Sequence, residues 1–409
     1  MAMLLMVSAA ALPAAAESRT GGTLIAWLME DPSSYNIDAV SDDFATMVME
    51  NVMSKLVKFD CAGNLLPDLA ASWDVSEDGL TYTFHLHQNV LWHDGVPFTS
   101  DDVLWTFQKI AAEGSSGMYL ANVTNMETPD ENTIVLTLSA PDAGLIYNLS
   151  WYGMYILPKH LYDGQDWLNC EAATVKPIGT GAYKFVEAQK GISYTLEANM
   201  DYFGGVPQTD TVIYSVIGDT NTAIQAFLNG ELDYLGINVM GAELQTLKDS
   251  GKATINTWPL ASRYYAALNC TGEFTGNLAV RQALALGVDR EALLTKALGG
   301  NGAVAEGFAP KAIAWAYNQD AAMPQRDTAA AIALLEGAGY TKNADGFYFT
   351  LNMPTMSASP FPELATVLKA SLKEIGVDVN IISLEMAAYI DRLLVQRDFD
   401  LTMLSGYQG

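Results

Sequence analysis

An α/β protein is predicted, and three patterns in the chain predict it. After Tyr348 short apolar strands alternate with helical stretches. Between Thr211 and Leu232 the order is strand, helix, strand. From Leu56 to Leu138, by contrast, strand signals recur with tight-turn dipeptides between them, which is the mark of antiparallel hairpins. Strands that alternate with helices form a parallel sheet through right-handed crossovers, so two organisations share one chain.

The elements follow in order. Gly21 to Leu28 reads as a first strand, and Asn36 to Val57 as a helix-containing approach to the hairpins. Strands lie around Ser72 and Tyr82, joined at Asp78-Gly79, a dipeptide that accepts the positive φ of a tight turn. Beyond it Tyr82, Phe84 and Leu86 alternate with Thr81, Thr83 and His85, which gives a strand with one buried face. A second turn at Asp94-Gly95 leads to Thr99, placed to cap a helix with Asp102 three residues on and Val103, Leu104, Phe107 and Ile110 as its apolar stripe. Ile134, Leu136 and Leu138 alternate after the Pro129-Asp130 turn.

In the βαβ stretch, Thr211 to Ile217 is the strand, Asp219 the helix cap, and Ile224, Phe227 and Leu228 the buried stripe. Gly230 ends that helix before a strand at Leu232. Asp289 stands where another helix needs a cap, so it and Arg281 are read as structural. The last third runs as a strand to Asn352, a helix from Phe361 to Ile375 ended by Gly376, a strand Val377 to Ile382, a helix Ala387 to Arg397 and a strand Phe399 to Leu404.

Composition limits the function. The 409 residues are 50% hydrophobic and 17% charged, enough for a large core in more than one domain. Acidic residues outnumber basic ones 47 to 21, and a net charge of −26 repels phosphate backbones and anionic membranes, so nucleic-acid binding is excluded. Residues 1–16, MAMLLMVSAAALPAAA, combine an apolar stretch with the small residues of a cleavage site, as in a secretory signal. The basic leader is missing, so the signal is read as incomplete; no cysteine marks a lipid anchor. Cys61, Cys170 and Cys270 are too widely spaced for a zinc ribbon or a Cys-x-x-Cys motif, and leave room for one disulfide.

Catalytic patterns are weak. His85, His87 and His93 invite a metal reading, but no nearby Cys or Glu completes the ligand set. Gly179-Thr180-Gly181 is no dinucleotide loop, because Lys184 stands in place of the third glycine. Ser250-Gly251-Lys252 lacks the upstream glycine of a phosphate loop, and no Gly-x-Ser-x-Gly elbow occurs. Open α/β sheets take ligands beyond the carboxyl ends of their strands, which nominates Met29, Glu30 and Asp31 after the first strand and Ser405, Gly406, Tyr407 and Gln408 after the last.

Four stretches carry a resemblance to a known family. The longest is LAASWDVSEDGLTYTFHLHQNVLWHDGVPFTSDDV, Leu69 to Val103. KPIGTGAYKF (Lys176 to Phe185), YFGGVPQTDTVIYSVIGDTNTAIQAFLNGELDYL (Tyr202 to Leu235) and LNCTGEFTGNLAVRQALALGVDREAL (Leu268 to Leu293) follow in order. In residue type and spacing the chain resembles the family 5 extracellular solute-binding proteins, which serve ABC importers of peptides, nickel complexes and opines. The resemblance implies the two-lobed periplasmic-binding-protein fold, type II, with an extra subdomain inserted in lobe one. Lobe one is then expected over 18–262, the insertion over about 56–175, and lobe two from Arg263 to Gly409, read as incomplete because relatives continue and return to lobe one.

The implied function is capture of a solute in the periplasm by hinge closure and its delivery to permease and ATPase subunits, by a monomer without cofactor, metal or catalytic group. Di- or oligopeptides lead as the solute; opines, oligosaccharides and nickel complexes are alternatives, and an exported hydrolase or a sensor are rivals of other classes. The family also places the segments after the first strand and after FDLTM at the solute. Where the chain crosses between lobes, Arg263 offers a carboxylate fork and Tyr264 an aromatic wall, against the plainer readings of a hinge ion pair and core packing.

Overall fold

The structure, a computed structural model, describes residues 21–407 except 41, 61–63, 152, 237–238, 240, 258–261, 308, 310–316 and 322. The expected signal, Cys61 and Gln408 lie outside the described residues. The chain gathers into two compact units that part between residues 238 and 239.

In the first unit the strands are β1 (Thr23–Leu28), β2 (Val57–Phe59), β3 (Leu65–Pro67), β4 (Ala70–Val75), β5 (Thr81–Leu86), β6 (Val123–Asp130), β7 (Thr133–Leu138), β8 (Tyr183–Gln189), β9 (Ser193–Ala198) and β10 (Thr211–Val216). They build two larger sheets. One, in the order β1-β10-β9-β8, pairs β1 with β10 in parallel and the others antiparallel. The other, β4-β5-β7-β6, is antiparallel throughout, as the turn dipeptides predict. Gly79 and Gly95 take φ of 69° and 90° at the two predicted turns.

Each sheet has its own core. Tyr82, Phe84, Leu86, Ile134, Leu136 and Leu138 point inward against Val103, Phe107 and Ile110 of the helix Ser100–Glu113. The second core joins Ala26 and Leu28 to Val48 and Met49 of the helix Asp43–Met49 and to Tyr194, Leu196, Val212 and Tyr214. The chain leaves this sheet core near Met53 and returns to it near Tyr155, so the antiparallel layer is an insertion in sequence and a separate core in space.

The expected strand at Leu232 is reduced to one bridge, Tyr234 beside Ala26. Backbone bonds still hold it to β1, from Trp27 N–H to the Tyr234 carbonyl (2.9 Å) and from Asp233 N–H to the Ile25 carbonyl (2.8 Å), and the Asp233 carboxylate accepts the Ile25 N–H at 2.9 Å. The helix before it forms as predicted on Thr220–Asn229, capped by Asp219 through the Thr222 N–H (2.8 Å) and ended by Gly230 at φ 81°.

The second unit carries β11 (Ser262–Leu268), β12 (Phe349–Met356), β13 (Val377–Leu384) and β14 (Leu401–Tyr407). β12 and β13 run parallel, connected through the helix Phe361–Glu374, which is the crossover expected from the alternation. β14 pairs antiparallel with β11, and Asp400 N–H reaches the Asn352 carbonyl (3.0 Å) while Thr402 Oγ1 reaches that of Pro354 (2.7 Å), which sets β14 alongside β12 in the same direction. The helix expected over Ala387 to Arg397 is shorter in its α form: Met386–Ile390 passes into a π-helical stretch, Asp391–Gln396. Arg397 closes it in the left-handed region (φ 54°), because Asp398 folds back on Arg392 through its N–H (3.1 Å) and its carboxylate (2.7 Å). One core, from Val280 to Met403, fills this unit.

Candidate functional site

Each unit presents a rim where parallel strands end. In the first, Ile217 N–H donates to the Leu28 carbonyl (2.9 Å) and the Trp27 indole N–H to the Ile217 carbonyl (2.8 Å), so the ends of β1 and β10 are tied side by side. Met29 is partly buried there and Glu30 is exposed. Asp31 is held within the unit: its carboxylate accepts the Gly191 N–H of the β8–β9 turn (2.9 Å) and the Tyr194 hydroxyl (2.8 Å). Burial first, and that hydrogen bond second, hold the Tyr194 hydroxyl well above the ordinary tyrosine pKa, so it stays a donor. Asp31 is thus a strut between the rim and the hairpin turn.

Next along the chain, Asp42 caps the helix Asp43–Met49 through Phe44 N–H (2.9 Å) and Ala45 N–H (3.0 Å) and also takes the Ser33 N–H (2.7 Å). Burial pushes its pKa up, but the Ser33 hydroxyl, which also donates to it, and these N–H donors outweigh burial and leave the carboxyl below its usual range. The rim loop is fastened at both ends by carboxylates.

In the second unit the register sets Ser262 opposite Tyr407, Arg263 opposite Gly406 and Tyr264 opposite Ser405. The start of β11 therefore lies at the carboxyl end of β14, and five of the residues nominated from sequence, Arg263, Tyr264, Ser405, Gly406 and Tyr407, lie together there. Arg263 and Tyr264, however, point to opposite faces, as neighbours on a strand must. The Arg263 guanidinium lies over the Tyr265 ring at 5.2 Å, while the Tyr264 ring meets Phe361 edge-on at 5.8 Å and packs on the core. Tyr407 is placed by its backbone alone.

Sequence reasoning missed the residues that follow β12 and β13. Ser357 N–H donates to the Leu384 carbonyl (2.8 Å) and its hydroxyl to Glu385 (2.9 Å), and Phe361 opens the crossover helix. The signal was available: the strand-end rule, applied to MSASPFP as it was to the other strands, picks out this loop.

The three histidines considered for metal have separate tasks. His85 pairs with Asp74 (2.9 Å), His87 packs on Phe203 (5.2 Å), and His93 bonds the Gly179–Gly181 turn. Among the described residues no three His, Cys, Asp or Glu side chains come together as a metal site. The two glycines of that turn are there for close approach: Gly181 N–H donates to the Val52 carbonyl (2.9 Å), and a Cβ on Gly179 would run into the same oxygen. Arg281 donates to the carbonyls of Thr275 and Gly276 (2.9 Å each), and Asp289 accepts the Ala292 N–H (2.9 Å), so both are structural as read.

The comparisons with known proteins decide what these rims belong to. The model of the bacterial extracellular solute-binding proteins, family 5 (middle region), matches residues 64–409. This chain belongs to that family. It is 31% identical over 389 residues to the di/tripeptide-binding protein 1 of Pseudomonas aeruginosa (strain UCBPP-PA14), covering 88% of this chain and 71% of the relative. Its structure matches the ABC transporter substrate-binding protein CtaP of Listeria monocytogenes with a TM-score of 0.84 at 25% identity, over 95% of this chain and 80% of that one. The oligopeptide-binding protein AppA of Bacillus subtilis, solved with a nonapeptide, matches with a TM-score of 0.73 at 28% identity, over 95% and 80%.

The fold of this family 5 member is accordingly the two-lobed one of the periplasmic binding proteins. It is a solute-binding protein of the ABC-transporter class and not an enzyme, so the exported-hydrolase reading falls. The family is extracellular or periplasmic, and among the described residues no helix is long and apolar enough to cross a membrane.

Proposed function

We propose that this chain is the binding component of a peptide importer, taking di- or oligopeptides in the periplasm after export through the segment 1–16. The observation that carries the reading is the family match over residues 64–409, together with relatives named for oligopeptides and for di- and tripeptides. A peptide suits such a protein physically, because hydrogen bonds to the peptide backbone are the same for every side chain. Met29 and Glu30 of the first rim, and Arg263 and Tyr407 of the second, are the proposed solute contacts; Asp31 positions the first rim, and Tyr264 backs the second through Phe361.

The proposed lobes run over 18–262, with the insertion at about 56–175, and over 263–409. A solute moves a protein between two states only if it binds one of them better, so hinge closure follows from contacts that the closed form alone completes. The closed monomer would then be recognised by permease subunits and, through them, the ATPases.

Native mass spectrometry of the protein purified from its own periplasm tests the substrate class. Short peptides released on denaturation are the expected result. A released opine, oligosaccharide or nickel complex would replace the peptide reading, and a protein that binds none of these in calorimetry would end it. Closure is read separately, as a fall in the radius of gyration by X-ray scattering when the released solute is added back.

A further inference from the structure

His93 sits between the two cores of the first unit and bonds one turn with three groups at once. Its backbone N–H donates to the Gly179 carbonyl (2.9 Å), its Nε2 lies 2.9 Å from the Gly181 carbonyl, and its Nδ1 faces the Gly179 N–H at 3.3 Å. A carbonyl can only accept and an amide N–H can only donate. The ring must therefore be neutral, with its proton on Nε2 and a lone pair on Nδ1. Trp92 and Phe98 on either side of His93 belong to the insertion core, whereas the turn's other face lies on the backbone of residues 51–53, with Val52 and Met53 in the sheet core.

We propose that His93 is a proton-operated latch: neutral, it fastens the insertion's Asp94-Gly95 turn to the Gly179–Gly181 turn of the sheet core through three bonds, and protonated, it gives up the one from the Gly179 N–H and loosens this contact. The chemistry is a change of one group from acceptor to donor. A proton on Nδ1 sets two donors face to face, and the ring can then keep the Gly181 bond but not the Gly179 one. Two charged groups act on the ring. Lys184 of β8 opposes a proton on it, and Asp94 favours one, although the Asp94 carboxylate also takes the His160 ring at 2.8 Å. Residues 51–53, on the other side of the turn, are Asn, Val and Met and bring no charge. Burial is the largest influence and holds the ring down to about 4. A protein working outside the cytoplasm meets the pH of its surroundings directly, which is where such a latch has something to sense.

Amide exchange on the intact protein tests it. With the ring at about 4 when latched and near 6.5 when free, the opening of the turn is expected to become about a hundredfold more favourable between pH 7 and pH 4. Protection of the Gly179 amide, corrected for intrinsic exchange, should fall by that factor while the β5–β7 ladder keeps its own. The His93→Gln variant should lose this pH response. Nitrogen-15 shifts of the wild-type ring should put the neutral proton on Nε2. A proton found on Nδ1, protection at Gly179 that does not change with pH, or the same pH response in the variant would each overturn the latch.

Discussion

The two units bury different kinds of polar group. Among the described residues, the first encloses Asp38, Asp68, Asp102 and Lys55, while in the second the buried polar side chains are the hydroxyls of Thr275, Thr355, Ser371 and Thr402. The acids of the first unit stand where the chain passes between its two cores. Asp38 accepts the Tyr155 N–H (3.0 Å), Asp68 the Lys55 N–H (2.9 Å) and Asp102 the Lys159 N–H (3.1 Å), and Thr106 accepts that of Leu157 (3.0 Å). A chain that leaves one sheet for another loses its ladder partners at the crossing, and buried N–H groups must find an acceptor, so side chains supply it. The second unit wraps one core and keeps its backbone on strands and helices, so it has little need of buried acids. Ionisation should therefore matter to the first unit and hardly at all to the second.

The comparison breaks most violently at Gly179. Gly179→Ala drives a methyl into the Val52 carbonyl, where neither backbone can give way, and should cost roughly 4 kcal/mol or more. Exchange mass spectrometry would then find the first unit unfolded and the second still protected; equal loss in both would deny that the units are separate.

Asp38 tests the acid side. Burial raises its carboxyl to about 8, against the hydrogen bond from Tyr155 and the charge of Lys55, which both lower it. Its folded pKa thus lies above the unfolded one, so its contribution is fully present below about 4 and is lost as pH climbs through about 8. Asp38→Asn keeps an acceptor for Tyr155 and cannot ionise. The variant should match wild type near pH 4 and exceed it by about 5 kcal/mol at pH 8. Urea titrations at the two pH values read the difference, and a variant that is less stable at pH 8 contradicts the assignment.

The second unit supplies the control. Tyr389 donates to the Met403 carbonyl (3.1 Å) and shares a hydrogen bond with Thr402 (2.8 Å), both buried. Tyr389→Phe should cost this unit about 1 kcal/mol, and the same amount at pH 5 and pH 8, because burial holds the hydroxyl above its ordinary pKa. A pH-dependent loss would mean that ionisation reaches this unit after all. Smallest of all is His85, paired with Asp74 on the exposed face of β5. His85→Ala should move stability by less than about 0.5 kcal/mol, since exposed pairs are screened and entropically costly; a larger shift in the melting curve would show a role that its surface position does not explain.

Much of the fold was legible because its signals are local. Asp78-Gly79, Asp94-Gly95, Asp219 and Gly230 each act on residues a few positions away, and all four do in the structure what their chemistry predicts. The candidate site was legible as to place and not as to role. The strand-end rule nominated Met29–Asp31 and Tyr407, yet nothing near Asp31 in sequence announces that Gly191 and Tyr194 will occupy its oxygens. Likewise, adjacency made Arg263 and Tyr264 look like partners, and the pleat of β11 sends them to opposite faces. The loop after β12 was passed over because its small residues carry no charge or ring to draw attention.

By itself, then, the sequence determined which segments become strands and helices, where the turns fall, that an antiparallel layer precedes an alternating one, and which family's pattern the chain follows. The tertiary structure alone decided that β14 lies between β11 and β12, that a single bridge replaces the strand at Leu232, and that three aspartates serve as buried acceptors. The physical reason is range. Periodicity, caps and turn dipeptides are set by interactions within a few residues, whereas a carboxylate's partner, and with it its charge, depends on whichever distant N–H the packed chain brings within about 3 Å.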